Sequence, residues 1–314
     1  MKKVYCIGEL LIDFVAEKQG NDLSKAEVFT KKAGGAPANV ACAIAKLGGL
    51  SRFIGCVGID QFGSFLLNVL EDNHVDISLA QRSKTFTTIA FVSISEDGER
   101  DFVFSRGADK KLKYDSSIKN NFKDNIVHFG AATALLGGDL EDAYGRYFFD
   151  ALTQNAFIGF DPNFRSDLWK GEEETFIKKC MPFVQKAHLC KFSLEEAQLL
   201  SGKTNLEECC AFLHEIGTKL ITITLGGDGT LLSTENSKHT IPSIKVSPID
   251  TTGAGDAFIG CLLSQIAAIH HPMEILENID LLIDMVKIAN RAGAITTTNF
   301  GAIPSLPTKE QLGL

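Results

Sequence analysis

Residues 249–258 read Ile249-Asp250-Thr251-Thr252-Gly253-Ala254-Gly255-Asp256-Ala257-Phe258. Two glycines let the backbone turn tightly at the start of a helix, where several N–H groups can point at one place. Such a cluster of N–H groups, together with the positive end of the helix dipole, suits a phosphate or the negative charge that develops during phosphoryl transfer. Asp256 stands beside this predicted anion hole. Two interpretations of Asp256 are open. It can accept a proton during the reaction, or it can be an acidic residue that the helix dipole favours in a first helical turn.

Short apolar runs alternate with longer helical patterns along most of the chain, which predicts βαβ units and a mostly parallel sheet covered on both faces. The predicted strands are Val4–Gly8, Arg52–Val57, Ile126–Phe129, Ile158–Phe160 and Leu220–Leu225. The predicted helices are Ala36–Leu47, Phe62–Leu70, Asp139–Leu152 and Glu172–Val184. The fold class is therefore α/β, with a Rossmann-like arrangement of three layers.

One region breaks this alternation. Residues 87–95 and 99–105 alternate with a period of two around the hairpin signal Glu96-Asp97-Gly98. This pattern predicts an appended small β-sheet lid, built from about residues 86–110 with help from residues 10–32. Since no linker or repeat interrupts the sequence, we expect one domain over residues 1–314.

Composition narrows the partners and the location. The 314 residues carry 31 Lys and Arg against 39 Asp and Glu, a net charge of −8. Without a basic block, this acidic balance argues against nucleic acid and anionic membranes as partners. The eight cysteines form no Cys-x-x-Cys pair, and the N-terminus lacks a signal-peptide core. These features predict a cytoplasmic protein.

Two absent motifs remove other function classes. No Gly-x-Gly-x-x-Gly occurs, which argues against a dinucleotide-dependent oxidoreductase. Gly202-Lys203-Thr204 ends like a phosphate-binding P-loop, but position 197 is Ala rather than Gly and the preceding segment is helical in pattern. We interpret these residues as the end of a helix.

Two segments carry a family resemblance. The stretch Asp250–Asp256 resembles the C-terminal signature of the ribokinase-like (PfkB) sugar kinases. The stretches Gly34–Ala41 and Gly55–Gly63 resemble its N-terminal signature. The resemblance covers about residues 4–307 and implies a ribokinase-like fold and an ATP-dependent sugar kinase. Asp256 would then be the general base, and Gly253, Ala254 and Gly255 would stabilise the transferred phosphoryl group.

The resemblance also implies where the sugar binds. Asp13 and Asn39 offer an acceptor and an amide to sugar hydroxyls, while Gly34 and Gly35 allow close backbone approach. The remaining implied sugar contacts are Arg106, Asn163 and Arg165. Arg165 can stabilise transferred charge or hold a substrate carboxylate, or it can pair with Asp167 or cap a loop.

ATP and ions have implied positions as well. The expected ATP contacts are Lys191, Thr224, Gly226, Gly229 and Asn290; Asn290 is otherwise a surface amide. Glu196, three residues after Ser193, resembles the family's Asn-x-x-Glu motif, which helps to place Mg²⁺ through waters. A monovalent cation, K⁺, is expected at Asp250, Thr252, Gly301 and Ser305.

Within the family, several segments resemble fructokinases, which implies conversion of D-fructose and ATP to fructose 6-phosphate and ADP. These segments are Gly8–Asp13, Asp161–Arg165, Leu168–Trp169 and Lys191–Glu196. Asp161–Arg165 also resembles 2-keto-3-deoxygluconate kinases, so that activity and ribokinase activity stay as alternatives. A sugar-binding sensor without catalysis is the non-enzymatic alternative. The family also implies a homodimer formed through the lid.

Overall fold

The central sheet is built almost entirely from buried apolar strands. A computed structural model describes residues 1–17, 20, 22–94 and 100–314. In that part of the chain the sheet has eight strands, in the order β14-β13-β12-β11-β10-β9-β1-β4. Their bounds are β1 Lys3–Ile7, β4 Leu50–Ile54, β9 Ile126–Gly130, β10 Phe157–Asp161, β11 Leu189–Ser193, β12 Leu220–Thr224, β13 Thr230–Thr234 and β14 Lys238–Ile241.

Strands β4, β1, β9, β10, β11 and β12 run parallel to their neighbours, and β13 and β14 add an antiparallel edge. The predicted parallel core is confirmed, although the predicted strand Arg52–Val57 is divided: Leu50–Ile54 forms β4, and Cys56–Gly58 forms a strand outside this sheet. Strand β11 within the core was not among the predicted strands. The antiparallel edge was not predicted, because its strands are only five and four residues long and β14 is mostly polar. Strand β1 lies between β4 and β9, so the strand order reverses there. Open α/β sheets bind ligands beside such a point, at the carboxyl ends of the strands.

Helices cover both faces of the sheet, as predicted. Their bounds are α1 Ala36–Lys46, α2 Gln61–Asp72, α3 Asp139–Thr153, α4 Ser166–Trp169, α5 Glu173–Val184, α6 Leu194–Ser201, α7 Leu206–Glu215, α8 Ala254–Ala267, α9 Ile279–Thr296, α10 Ala302–Ser305 and α11 Lys309–Leu312. Alternate strand residues face opposite cores: Val4 and Cys6 belong to the core containing α1, α8 and α9, whereas Tyr5 and Ile7 belong to the core containing α3, α5 and α7. This three-layer arrangement fixes the carboxyl ends of the strands as one rigid edge.

The small sheet predicted outside the main one is present. Its order is β3-β2-β7-β8, with bounds β2 Leu11–Ala16, β3 Phe29–Gly34, β7 Ile89–Ile94 and β8 Arg100–Ser105. The predicted turn at 96–98 lies outside the described residues. The strands β5 Cys56–Gly58 and β6 Gln81–Ser83 pair in parallel as a separate two-stranded sheet. We call the four-stranded sheet the lid.

Two other expectations concern environment. All eight cysteines are buried as free thiols, in line with their position in apolar runs. Among the described residues, no helix is both long and apolar enough to cross a membrane.

Candidate active site

The residues predicted to act on phosphate lie at the start of α8. Gly253 has a φ of +80°, and a Cβ there would lie 2.5 Å from the Cβ of Ala302. Only glycine fits this conformation and this contact without strain. Ala254, Gly255 and Asp256 follow as the first helical turn, whose N–H groups have no partner within the helix. The predicted helix-start turn is therefore present, and its geometry suits an anion.

Asp256 is 7% exposed and accepts a hydrogen bond from the Asn39 amide, with 2.8 Å between Nδ2 and Oδ2. Asn39 lies in the first turn of α1, so this contact joins the two segments that carried the family resemblance. Burial raises the pKa of Asp256, while the Asn39 hydrogen bond and the charge of Lys191 oppose that rise. The Oδ1 of Asn39 is buried without a hydrogen-bond partner among the described residues. That atom can accept a hydrogen bond from a ligand hydroxyl.

Lys191, on β11, lies beneath the glycine turn rather than in an open nucleotide cleft. Its Nζ forms a buried ion pair with Asp161 Oδ2 at 3.1 Å, and a Cβ on Gly255 would lie 2.9 Å from that Nζ. Burial lowers the pKa of Lys191, but the carboxylates of Asp161, Glu196 and Asp256 outweigh burial and raise it. The ammonium is therefore held charged beside the anion hole, where it can stabilise phosphate.

Glu196 is 4% exposed and organises the loop that follows β10. It forms a capping box with Ser193, and its Oε1 accepts the N–H of Phe164 at 2.7 Å. Next to that loop Asn163 adopts a φ of +49°, and its buried Nδ2 has no hydrogen-bond partner among the described residues. Asn163 thus keeps a donor for a ligand, while Glu196 keeps lone pairs for a metal-bound water.

Arg165 extends from the same loop. Its Nη atoms donate to Phe164 O and Asn163 Oδ1, both at 3.1 Å, and both acceptors are uncharged. No carboxylate of the described residues lies within ion-pair distance of it, Asp167 included. Its positive charge nevertheless acts against burial, which is the main cause of the raised pKa values of Glu9 and Asp256. The guanidinium is therefore close enough to act electrostatically on both carboxyl groups.

The predicted sugar-binding residues of the N-terminal half also come together. Asp13, on β2, lies against Gly34, where a Cβ would be only 2.0 Å from its Oδ2. Gly35 has a φ of +110°, and a Cβ there would meet the carbonyl oxygen of Glu9 at 2.5 Å. Both glycines are therefore needed for close packing at this turn, which delivers Asn39 to Asp256.

Arg106 lies at the end of the lid, but its contacts are internal. Its Nε pairs with Asp109 Oδ2 at 3.0 Å, and its Nη atoms donate to the carbonyls of Leu136 and Thr133. These contacts hold the lid to the loop after β9. A direct contact with substrate stays a prediction.

Apart from Lys191, the residues predicted to bind ATP lie at or next to the antiparallel edge of the sheet. Thr224 ends β12, and Gly226 has open space where a Cβ would be. Gly229 packs closely, since a Cβ there would lie 2.1 Å from the carbonyl oxygen of Ile241. Asn290 is buried, not a surface amide: it accepts from Thr230 and donates to Ile241 O at 2.9 Å. It ties α9 to the antiparallel edge, and its role toward adenine stays a prediction.

The four residues predicted to hold K⁺ come from two segments that meet: Asp250 and Thr252 precede α8, while Gly301 and Ser305 lie at the two ends of α10. Asp250 accepts the N–H groups of Thr252 at 2.9 Å and Gly301 at 2.8 Å. Burial opposes ionisation of Asp250, but these hydrogen bonds and the nearby Lys32 lower its pKa. The buried Ser305 hydroxyl has no partner among the described residues. The charged carboxylate and this spare oxygen suit a cation.

Comparison with known proteins identifies the family. Residues 1–309 match the pfkB family carbohydrate kinase domain. The chain belongs to the pfkB family of carbohydrate kinases. It is accordingly a phosphotransferase that acts on an alcohol group.

Relatives in this family carry fructokinase names. The chain is 38% identical to fructokinase-1 of Zea mays over 314 residues, covering 98% of this chain and 96% of that protein. Fructokinase-1 of Oryza sativa is equally similar, at 38% identity with the same coverage. These relatives extend over the whole chain.

Solved structures of pfkB relatives confirm the ribokinase-like fold. The ATP-bound fructokinase of Xylella fastidiosa gives a TM-score of 0.87 at 27% identity, covering 99% of this chain and 96% of that one. A Vibrio cholerae fructokinase with fructose, ADP and calcium bound gives 0.83 at 32% identity, covering 100% and 98%.

Sequence reasoning missed three buried polar groups at the site. Asp161 was recognised only as part of a resembling segment, and Glu9 and Asp109 were given no role. Asp161 is the last residue of β10, beside Lys191 on the neighbouring β11, and that register is a signal that could have revealed the pair. Glu9 and Asp109 meet only in the folded chain, through the hydroxyl of Thr133.

Proposed function

We propose that this pfkB kinase is an ATP-dependent fructokinase that converts D-fructose to fructose 6-phosphate. The observation that carries the proposal is the hydrogen bond between Asn39 and Asp256 beside the glycine turn at 253–255. It places a proton acceptor, a sugar-binding amide and an anion hole at one point. The fructokinase relatives of maize and rice, and the fructose-bound structure from Vibrio cholerae, support the choice of sugar.

In the proposed reaction, Asp256 accepts the proton of the sugar's primary hydroxyl as its oxygen attacks the terminal phosphorus of ATP, and the bond from that phosphorus to the bridging oxygen breaks so that ADP leaves. The N–H groups of the 253–255 turn and the Lys191 ammonium stabilise the negative charge on the moving phosphoryl group. Asn39, Asn163 and Asp13 orient the sugar through hydrogen bonds. The lid excludes water from the cleft, since water would otherwise consume ATP.

The proposal also assigns residues to Mg²⁺ and K⁺. Mg²⁺, bound with ATP, supplies neutralisation of phosphate charge, and Glu196 is the residue that holds a metal-bound water. No cluster of three His, Cys, Asp or Glu ligands occurs among the described residues, so we place Mg²⁺ mainly on the nucleotide's phosphates. Asp250, Thr252, Gly301 and Ser305 are the proposed K⁺ site. A related Vibrio cholerae fructokinase double mutant has fructose, ADP and potassium bound.

The rest of the proposal concerns location and assembly. A reducing cytoplasm suits eight buried free thiols. A homodimer through the lid suits β8, because it is an edge strand of the lid and an edge strand can pair with a second copy of the chain. Sedimentation of the purified protein at several concentrations measures that assembly: a monomer at all of them would remove it.

A screen of ADP release tests the proposed activity. We expect D-fructose to give the highest kcat/KM among D-fructose, D-ribose and 2-keto-3-deoxygluconate, with Mg-ATP as donor. A clear preference for one of the other two sugars would replace fructokinase by the corresponding kinase. Sugar binding without release of ADP, under any of the three, would instead indicate a sensor.

A further inference from the structure

A buried polar cluster lies where the lid joins the central sheet. At its centre Asp109 is 1% exposed and follows β8 in a short 3₁₀ turn. Its Oδ2 accepts from Arg106 Nε and from the Thr133 hydroxyl, both at 3.0 Å, and its Oδ1 accepts from the Thr88 hydroxyl. Asp109 therefore links the beginning of β7, the end of β8 and the loop after β9.

The same cluster occupies Arg106. Three of the five N–H donors of its guanidinium are engaged: one by Asp109, one by Leu136 O at 2.8 Å and one by Thr133 O at 3.0 Å. The Asp109 carboxylate cancels the charge of the guanidinium at close range. Arg106 therefore links the lid to the loop after β9, with its charge balanced by Asp109. Arg165, whose contacts are with uncharged oxygens, keeps its charge for the cleft.

Contacts extend from this cluster to the sugar-binding residues. The Thr133 hydroxyl also lies 3.5 Å from Glu9 Oε2, and Glu9 Oε1 accepts the N–H of Ala36 at 3.0 Å. Ala36 directly follows the Gly34–Gly35 turn that packs against Asp13. A substrate carboxylate that approached Arg106 would therefore meet a guanidinium already paired with Asp109, so that a cation for the carboxylate would have to come from Arg165.

We propose that Asp109 is a specificity-determining residue: by pairing with Arg106 it denies that guanidinium to a substrate carboxylate, and so selects neutral sugars over sugar acids. The inference deepens the proposed function and rests on it. It assigns Asp109 a positioning role, since its carboxylate acts through Arg106 and does not touch the reacting atoms.

The test compares kcat/KM for 2-keto-3-deoxygluconate and for D-fructose in the full-length protein and in Asp109→Asn. The asparagine keeps the size of the side chain but removes the carboxylate that balances the charge of Arg106. We expect the acid-to-fructose ratio of kcat/KM to rise at least about tenfold, a change of about 1.4 kcal/mol. Asp109→Glu keeps the charge and should restore a ratio close to that of the unmodified protein.

A double variant checks that Arg106 is the cation released. In Arg106→Gln with Asp109→Asn, the ratio should return toward its original value because no guanidinium is left to bind the acid. Asp139→Asn is the matched control: it removes a carboxylate that pairs with Lys111 on the surface near the same turn, and it should leave the ratio unchanged.

Each result decides between the two proposals. If Asp109→Asn lowers kcat/KM for both sugars equally, or only lowers the melting temperature, the specificity role is wrong while fructokinase activity stands. If the unmodified enzyme prefers the acid, both proposals fall. If it prefers another neutral sugar, only the assignment of fructose is wrong. The kcat/KM for the acid is then compared with the kcat/KM for that sugar in place of fructose.

A measurement on the unmodified protein covers the case in which Asp109→Asn does not fold. The neutralised Arg106 predicts that 2-keto-3-deoxygluconate inhibits fructose phosphorylation weakly, with a Ki at least about tenfold above the KM for fructose. Competitive inhibition with a Ki below that KM would overturn the specificity role.

Discussion

The two ends of the cleft are built in different ways. The proposed phosphate end, residues 251–256, is one contiguous turn that leads into α8, and the role proposed for it depends on backbone N–H groups at that helix start. The sugar end, formed by Glu9, Asp13, Asp109 and their partners, is a network of side chains from distant segments. Its contacts join residues up to 124 positions apart, as between Glu9 and Thr133. We conclude that the N–H groups of the first end are positioned by local backbone geometry, whereas the side chains of both ends, including the Asn39–Asp256 pair, are brought together by tertiary packing.

The largest effect that tests this contrast is expected at Asp256, the side chain on which the phosphate end depends for proton transfer. Asp256→Asn keeps the shape and the contact with Asn39 but cannot accept the proton. We expect kcat to fall about 10²–10⁴-fold, on the order of 3–5 kcal/mol, with folding preserved. Steady-state ADP release and thermal unfolding of the purified variant measure both quantities.

Asp284→Asn provides the control, since Asp284 forms an exposed pair with Lys287 and lies far along the chain from the turn. Its turnover should match that of the unmodified enzyme. A folded Asp256→Asn protein with most of its activity intact would show that Asp256 is only a favourable residue in a first helical turn.

The same contrast explains what could be predicted from sequence. The strands, helices and glycine turn follow from local periodicity and from residues with special backbone freedom, such as Gly253. Asp256 and Asn39 were predicted together because each lies in a distinctive motif. The pairing of Asp109 with Arg106 could not be predicted in this way. Arg106 and Asp109 are only three residues apart, but the burial of Asp109 and its contacts with Thr88 and Thr133 depend on the fold, so the spacing alone does not show that this pair forms.

A smaller effect is expected at Glu9, on the sugar end, and it concerns stability. Burial raises the pKa of Glu9 from 4.5 to about 7 in the folded protein. Folding therefore favours the protonated form, and the stability gained is complete below pH 4.5 and is lost as the pH rises through 7. From about pH 5 to about pH 7.5 the unmodified protein should lose about 2 kcal/mol more unfolding free energy than Glu9→Gln.

Urea unfolding of both proteins at the two pH values measures this difference. Comparing the two slopes removes contributions from all other titrating groups that the proteins share. Parallel pH dependences would mean that Glu9 stays ionised in the folded state, held by the N–H of Ala36 and by Arg165. The sugar end would then carry one more buried negative charge than we expect.

The smallest effect is expected where the two ends meet. Lys32 lies on lid strand β3, and a Cβ on Gly301 would be 3.4 Å from its Nζ. Its charge contributes to the lowered pKa of Asp250, beside the proposed K⁺ site. We expect K⁺ to raise kcat about two- to fivefold over a bulky organic cation. Partly exposed ionic contacts are worth about 0.2–1 kcal/mol, which corresponds to such a ratio.

Lys32→Gln sharpens this last prediction, because it removes a positive charge that already balances Asp250 in part. Without that charge the loop depends more on the bound cation, so the K⁺ activation ratio should exceed that of the unmodified enzyme. Lys287→Gln, which removes an exposed lysine elsewhere on the surface, should leave the ratio unchanged. The K⁺ site would be wrong if rates in K⁺ and in the organic cation were equal, both for the unmodified enzyme and for Lys32→Gln. That result would not affect the role proposed for Asp256 in phosphoryl transfer. A larger ratio only in Lys32→Gln would show that a lid residue balances the charge of the phosphate end, which couples the two ends electrostatically.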